Sequence, residues 1–273
     1  MRKSIRILIL YIVNVILAGI ILFPLIYALM ISFMKPEDIF QYPPKIIPTS
    51  LYLGNYIEAL KSVPILRFIL NSFIVSSVVT VGQIATASLA AYAFTYYDFK
   101  GKNLIFLMFL STMMIPGEAT IIANYLTIRS LNWLDTYKAL IIPNLSTALG
   151  IFLMRQFFLT IPKDYYEAAA IDGATKFQFF VKVLLPLSRP AIGSLAIYSF
   201  LMTWNQYMWP LLVTNRDEMR TVQIGISMLQ MAESQSFGLI MAGVVMIIIP
   251  SLVAFIVGQK QLIEGLSAGA LKG

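Results

Sequence analysis

The chain has 273 residues, 59% of them hydrophobic and 12% charged, with a net charge of +7 and neither cysteine nor histidine. A soluble domain carries about 25% charged residues to solvate its surface, so this composition excludes one and requires lipid over much of the exterior. Without Cys or His, disulfides, zinc clusters, His-ligated haem and His-assisted triads are excluded, and bases spread along the chain rather than clustered with aromatics speak against a nucleic-acid partner.

A helix needs about 20 apolar residues to cross the hydrocarbon, and six stretches qualify, at about 9–33, 69–94, 104–125, 137–159, 191–213 and 238–259. The expected fold class is therefore all-α integral membrane, with six transmembrane helices in a single domain over 1–273. The first stretch follows Arg2, Lys3 and Arg6. Its apolar run from Ile7 to Phe33 is too long for a signal-peptide core of about 7–15 residues, so it reads as an uncleaved span. The loop 34–68 holds Pro36, Pro43, Pro44, Pro48 and Pro64 and is expected to be an irregular outer cap.

The third span carries Glu118 just after Pro116-Gly117, and Asn124 beyond it. A carboxylate at a helix centre in lipid costs roughly 2.5–3.5 kcal/mol on insertion scales, so such a residue is expected to face a pore or a partner. Asn144, Ser146 and Thr147 interrupt the fourth span. The fifth holds Trp204, Asn205, Gln206, Tyr207 and Trp209, a set of flat aromatic faces and amides suited to sugar rings. These residues are the substrate-path candidates. Trp and Tyr also form interface belts, and Asn or Gln can simply join helices.

With the N-terminus inside, the inner segments hold twelve bases and five acids, and the remainder holds eight of each. The excess of inner Lys and Arg places both termini in the cytoplasm. The one long inner loop, 160–190, is the most informative stretch. Pro162 and Asp164 suit the first turn of a helix, and Glu167-Ala168-Ala169-Ala170 continues it. Gly173 supplies a left-handed residue to close it. Thr175 and Gln178 form a capping box for a second helix. In that helix Phe177, Phe180, Val181 and Leu184 fall on one stripe until Pro186 stops it. Two short helices joined by a sharp turn make either a docking element, with Glu167 and Lys163 one turn apart to set a partner's register, or an interfacial connector between spans. Helix physics alone does not separate these two.

Glu167-Ala168-Ala169, then Gly173 three residues on, then Val183-Leu184-Leu185-Pro186 after nine more, resembles the EAA loop of ABC-importer permeases, with Val183 in place of Ile. The stretches Ser88–Phe94, Arg155–Phe158 and Trp204–Pro210 are similar to carbohydrate-importer permeases of the maltose and glycerol-3-phosphate type. The resemblance implies a type I ABC-importer permease fold in a bacterial-type plasma membrane. It makes loop 160–190 the coupling element for an ATPase, through Glu167, Ala168, Ala169, Gly173, Val183, Leu185 and Pro186. It also implies that the tail 260–273 reaches the ATPase through Gly265, Gly269 and Lys272. The implied partners are a second permease in a heterodimer, two copies of an ATPase and an extracytoplasmic solute-binding protein.

No G-x-x-x-x-G-K-[ST] occurs in the chain, so it cannot cradle a nucleotide itself. It is expected to be non-enzymatic and to bind no cofactor or metal, with ATP and Mg held by the ATPase subunits. The expected cargo is a carbohydrate, with glycerol-3-phosphate or a glycerophosphodiester as the alternative. A secondary transporter would need an intramembrane ion relay, for which Glu118 stands alone. An intramembrane enzyme would need a nucleophile–base pair or metal cluster that is not visible.

Overall fold

A computed structural model describes residues 2–43, 45–232 and 236–270, and every regular element among them is helical. The chain divides into two compact units, Met1–Leu66 with Ile224–Pro250, and Arg67–Gln223 with Ser251–Gly273.

In the first unit, α1 (Arg2–Ser32) is apolar on every face, and none of its most hydropathic window is buried. An all-round apolar helix with no protein cover is one that lipid or another chain must cover. Beyond it, Asp38 receives the Lys45 ammonium at 2.5 Å and the Thr49 hydroxyl at 2.7 Å, which ties the proline-rich loop together. Helix α2 (Gly54–Ser62) buries Asn55 and Ala59, and Met34, Val63, Leu229 and Leu239 of this unit are buried as well.

In the second unit, α3 (Ile65–Tyr96) starts two residues before the unit boundary and is unbroken for 32 residues. Its partners are bent. Helix α4 (Lys102–Ser111), extended by a 3₁₀ turn to Met114, meets α5 (Gly117–Ser130) at 98°. The break falls at Ile115-Pro116. Proline disfavours helical conformation in the residue before it and has no N–H to carry the ladder on, and Ile115 is extended. Helix α6 (Tyr137–Ile141), continued to Asn144 around Pro143, meets α7 (Ala148–Phe158) at 42°.

Two short helices follow, α8 (Asp164–Ile171) and α9 (Lys176–Leu187), and the chain bends by 76° at Ser188 into α10 (Arg189–Trp204). Then come α11 (Met208–Val213), α12 (Val222–Ala232) and α13 (Phe237–Ala270). Helices α12 and α13 run from one unit into the other.

Among the described residues three helices are long and apolar enough to cross a membrane, and up to six spans result if each bent pair counts as one. The bent pairs differ from the expected boundaries. The third pair, standing for the fifth span, runs over 176–204 instead of 191–213, and its helix ends at Trp204, where the Asn205 side chain bonds back to the Leu201 carbonyl at 2.9 Å. The stretch 214–237, expected as loop, contains α12, which with 11 residues is too short to cross.

Candidate functional site

Helices α8 and α9 form a hairpin whose turn follows the sequence closely. Gly173 has φ +76°, in the left-handed region that only glycine enters without steric cost. The Ala174 N–H donates to the Ala169 carbonyl at 2.9 Å and the Gly173 N–H to the Ala170 carbonyl at 3.1 Å. This pair of reversed bonds satisfies the last carbonyls of α8. The Thr175 hydroxyl accepts from the Gln178 N–H at 3.2 Å, and the Gln178 side chain accepts from the Thr175 N–H at 2.8 Å, closing the capping box that opens α9.

The buried face of α9 differs from the expected stripe. Phe177 is 68% and Val181 42% exposed, while Phe179, Phe180 and Leu184 are buried. Phe180 and Leu184 keep the expected face, and Phe179 joins them by packing on Tyr96 and Tyr166, ahead of a π-turn over Phe180–Leu184. Pro186, just after that turn, has no N–H to donate back into it. Nor does Pro186 stop the helix, which reaches Leu187 before bending. Val183 and Leu185 are half-buried against the core, and Pro186 is exposed.

On α8, Ala169 is buried while Glu167 and Ala168 are exposed. Glu167 and Lys163 line a cleft of about 330 Å³ together with Asp98, Lys102, Tyr96 and Tyr166. Lys102 pairs with Asp98 at 3.5 Å, but neither Lys163 nor Glu167 enters an ion pair among the described residues. Two unpaired charges of opposite sign therefore stand on a hairpin that also exposes Ile171 and Phe177. Gly265 and Gly269 lie in the part of α13 whose side chains are outside the described residues, and Lys272 is outside them altogether.

A second cleft, of about 390 Å³, gathers Glu118, Asn124, Asn144, Gln206 and Tyr207 with Trp209 and Thr120. Six of the ten substrate-path candidates, Trp209 among them, thus share one space. The bends bring them there: Glu118 opens α5 just past the 98° break, Asn144 ends the α6 segment, and Gln206 and Tyr207 occupy the gap before α11. Trp204 and Asn205 do not line it. Trp204 is buried and stacks on Phe200 at 5.7 Å between centroids, and Asn205 accepts from Gln223 at 3.2 Å. Trp209 lies against the cleft with its indole N–H on the Ala139 carbonyl at 2.9 Å. No group of three metal-ligating side chains occurs among the described residues.

Sequence reasoning passed over Gln83. Its amide donates to the Asn144 carbonyl at 2.8 Å and its carbonyl accepts from Ser199 at 2.6 Å. A glutamine inside an apolar span was the available signal.

The profile of the family described as "Binding-protein-dependent transport system inner membrane component" matches residues 5–260. The sn-glycerol-3-phosphate transport system permease protein UgpE of Agrobacterium fabrum is 36% identical over 256 residues, 90% of this chain and 91% of the relative. The arabinooligosaccharides transport system permease protein AraQ of Halalkalibacterium halodurans is 34% identical over 260 residues, 94% and 93% of the two chains. A chain in the crystal structure of a bacterial ABC transporter involved in the import of the acidic polysaccharide alginate superposes with a TM-score of 0.83 at 23% identity, over 95% of this chain and 97% of that one. That likeness speaks to the fold. The profile match and the two identities together make this chain a member of the binding-protein-dependent transport system inner membrane component family, a multi-pass permease of the inner membrane.

Proposed function

We propose that this chain is the non-enzymatic permease subunit of an ATP-driven importer of carbohydrate, and that the α8–α9 hairpin is where its ATPase docks. The observation that carries the docking assignment is the hairpin itself. Its inner face is packed, its turn is fixed by Gly173, and it exposes Glu167, Lys163, Ile171 and Phe177, the two charges having no ion pair among the described residues. A partner groove with an acid and a base around an apolar centre matches that face.

The chain lacks a nucleotide-cradling loop, so ATP and Mg belong to two copies of a separate ATPase. In this reading both termini are cytoplasmic. ATP-driven closure of the ATPases displaces this hairpin and that of a second permease, and rigid-body motion of the helices exposes the path to a solute-binding protein outside. Hydrolysis then resets it.

The second cleft is the part of the path this subunit contributes. Aromatic faces of Tyr207 and Trp209 with the amides of Asn124, Asn144 and Gln206 suit the apolar faces and hydroxyls of a sugar. Among the described residues its lining has one carboxylate, Glu118, and neither Arg nor Lys. A phosphate ester entering there meets like charge and no cation, so the lining supports neutral oligosaccharide over glycerol-3-phosphate, although relatives named for each cargo are almost equally similar.

The test is reconstitution of this chain with its partner permease, ATPase and binding protein in proteoliposomes. ATP-dependent uptake of labelled oligosaccharide, abolished when the ATPase is omitted, is expected. Uptake driven by an ion gradient without the ATPase overturns the importer reading, and uptake of glycerol-3-phosphate alone overturns the cargo.

A further inference from the structure

Hairpin and cleft are both attached to α3, at two levels of that helix. At its C-terminal end, Tyr92 is buried and donates its hydroxyl to the Lys176 carbonyl at 2.9 Å, with its ring 5.0 Å from Phe180. Tyr96 sits 5.5 Å from Tyr166 and 5.2 Å from Phe179, centroid to centroid, and Tyr166 and Phe179 meet edge-on at 5.0 Å. One turn of α3 thus grips both arms of the hairpin, Tyr166 on α8 and Phe179–Phe180 on α9. Packed aromatic pairs in such geometries resist sliding and act as one body.

Higher on the same helix, nine residues before Tyr92 and so about 14 Å along the axis, Gln83 holds the Asn144 carbonyl at 2.8 Å and the Ser199 hydroxyl at 2.6 Å. One turn on, the Thr86 hydroxyl donates to the Leu145 carbonyl at 2.8 Å. These two carbonyls sit at the 42° break between α6 and α7, where the helical ladder leaves them without partners. Side chains of α3 supply the missing donors. The break in turn carries Pro143 and Asn144 into the cleft.

We propose that α3 is the transmission element between the ATPase-docking hairpin and the cleft, with Tyr92 and Gln83 as its two positioning residues. The inference rests on the importer reading above. Displacement of the hairpin carries α3 with it through the aromatic grip, and Gln83 passes that displacement to the α6–α7 break and, through Ser199, to α10. A uniform, unbroken helix between two bent pairs is the shape such a strut requires. The competing route is the covalent one, from the hairpin directly up α7, whose Phe158 and Met154 share the same core.

Physical contiguity alone does not demonstrate coupling, and a double-mutant cycle does. The reconstituted importer is assayed for binding-protein-stimulated ATPase rate and for cargo taken up per ATP hydrolysed, in the wild type, Gln83→Met, Tyr92→Phe and the double variant. Gln83→Met keeps side-chain length and removes both hydrogen bonds. It is expected to hold the ATPase rate within about twofold while lowering uptake per ATP about tenfold, within the usual range of site–site coupling. Tyr92→Phe, which removes one hydroxyl, is expected to lower it less, and the double variant to match Gln83→Met alone, as links in series do. Unchanged uptake per ATP in Gln83→Met, or multiplied losses in the double variant, overturns the proposal in favour of the α7 route. If Gln83→Met does not assemble, Ser199→Ala and Tyr92→Phe are read by the same ratio, and an unchanged ratio in both overturns it equally. A wild-type assembly without ATP-driven uptake sinks the importer reading first and this inference with it.

Discussion

The side chain of Asn55 lies where a Cβ on Gly238 would be, 2.5 Å from Nδ2. The space that glycine leaves lets the Asn55 amide reach the carbonyls of both Ser32, at 2.9 Å, and Met34, at 2.8 Å, just where α1 ends. Those carbonyls have no helical partner of their own. Asn55→Ala and Asn55→Asp both remove the donor, and each is expected to cost roughly 1–3 kcal/mol. Gly238→Ala is expected to cost a similar amount by pushing the amide off its acceptors. Thermal unfolding in detergent checks all three. An Asn55→Asp variant as stable as wild type would show that shape, not hydrogen bonding, holds the end of α1.

Gly173 has open space around its missing Cβ, so its role is conformational. Gly173→Ala is expected to weaken the hairpin turn by about 1–2 kcal/mol, the cost of a left-handed L-residue, and Gly173→Asn by less. Gly173→Pro additionally loses the N–H that meets the Ala170 carbonyl, and is expected to abolish both transport and ATPase capture. Co-purification of tagged permease with the ATPase ranks the three.

Glu167 is exposed and has no ion-pair partner among the described residues. Glu167→Lys is therefore expected to leave thermal stability of the isolated permease within about 0.5 kcal/mol, yet to abolish ATPase capture and uptake. Normal stimulated ATPase in this variant would contradict the docking assignment.

Gln206 is a half-buried amide of the cleft. Gln206→Ala is expected to lower the maximal uptake rate roughly fivefold, as loss of one hydrogen bond does, with unchanged assembly. Full-rate sugar uptake would place the path elsewhere, on the partner permease.

Burial raises the pKa of Asp135, but the amides of Arg216 at 2.8 Å and Asn215 at 2.5 Å outweigh it and hold the carboxyl below its usual range. A depressed carboxyl pKa contributes stability above the unfolded-state value, and that contribution disappears as pH falls through the folded-state value, here below about pH 4. Unfolding temperature of the wild type is expected to fall more steeply between pH 5 and about 3 than that of Asp135→Asn. Parallel curves would refute the assignment.

Local chemistry made the hairpin legible before any coordinates. Gly173 and the Thr175–Gln178 pair each act within four residues, so their consequences follow from the sequence alone. Clustering of Glu118, Asn144 and Gln206 was legible only as a list of polar residues in apolar stretches, because their meeting depends on how sharply each span bends. Pro116 signalled that a break would occur, but its 98° angle is set by packing. The stripe counted at 3.6 residues per turn grouped Phe177 and Val181 with Phe180 and Leu184, but the buried place goes to Phe179, whose aromatic partners Tyr96 and Tyr166 come from distant parts of the sequence. Trp204 was drawn into the path by its type, whereas its stacking on Phe200 makes it core.

Helices α10 and α13 meet through two glycines, one on each. The place of a Cβ on Gly193 is taken by Gln261, 2.7 Å from its Cβ, and that on Gly258 by the δ-carbon of Ile197. The Ser194 hydroxyl also reaches the Gln261 carbonyl at 2.5 Å. Each rod thus wears a notch filled by a peg from the other, about a turn apart. Such a mortised joint forbids gliding lengthwise but leaves rocking about the contact free, so any rearrangement of this pair during a transport cycle is a pivot.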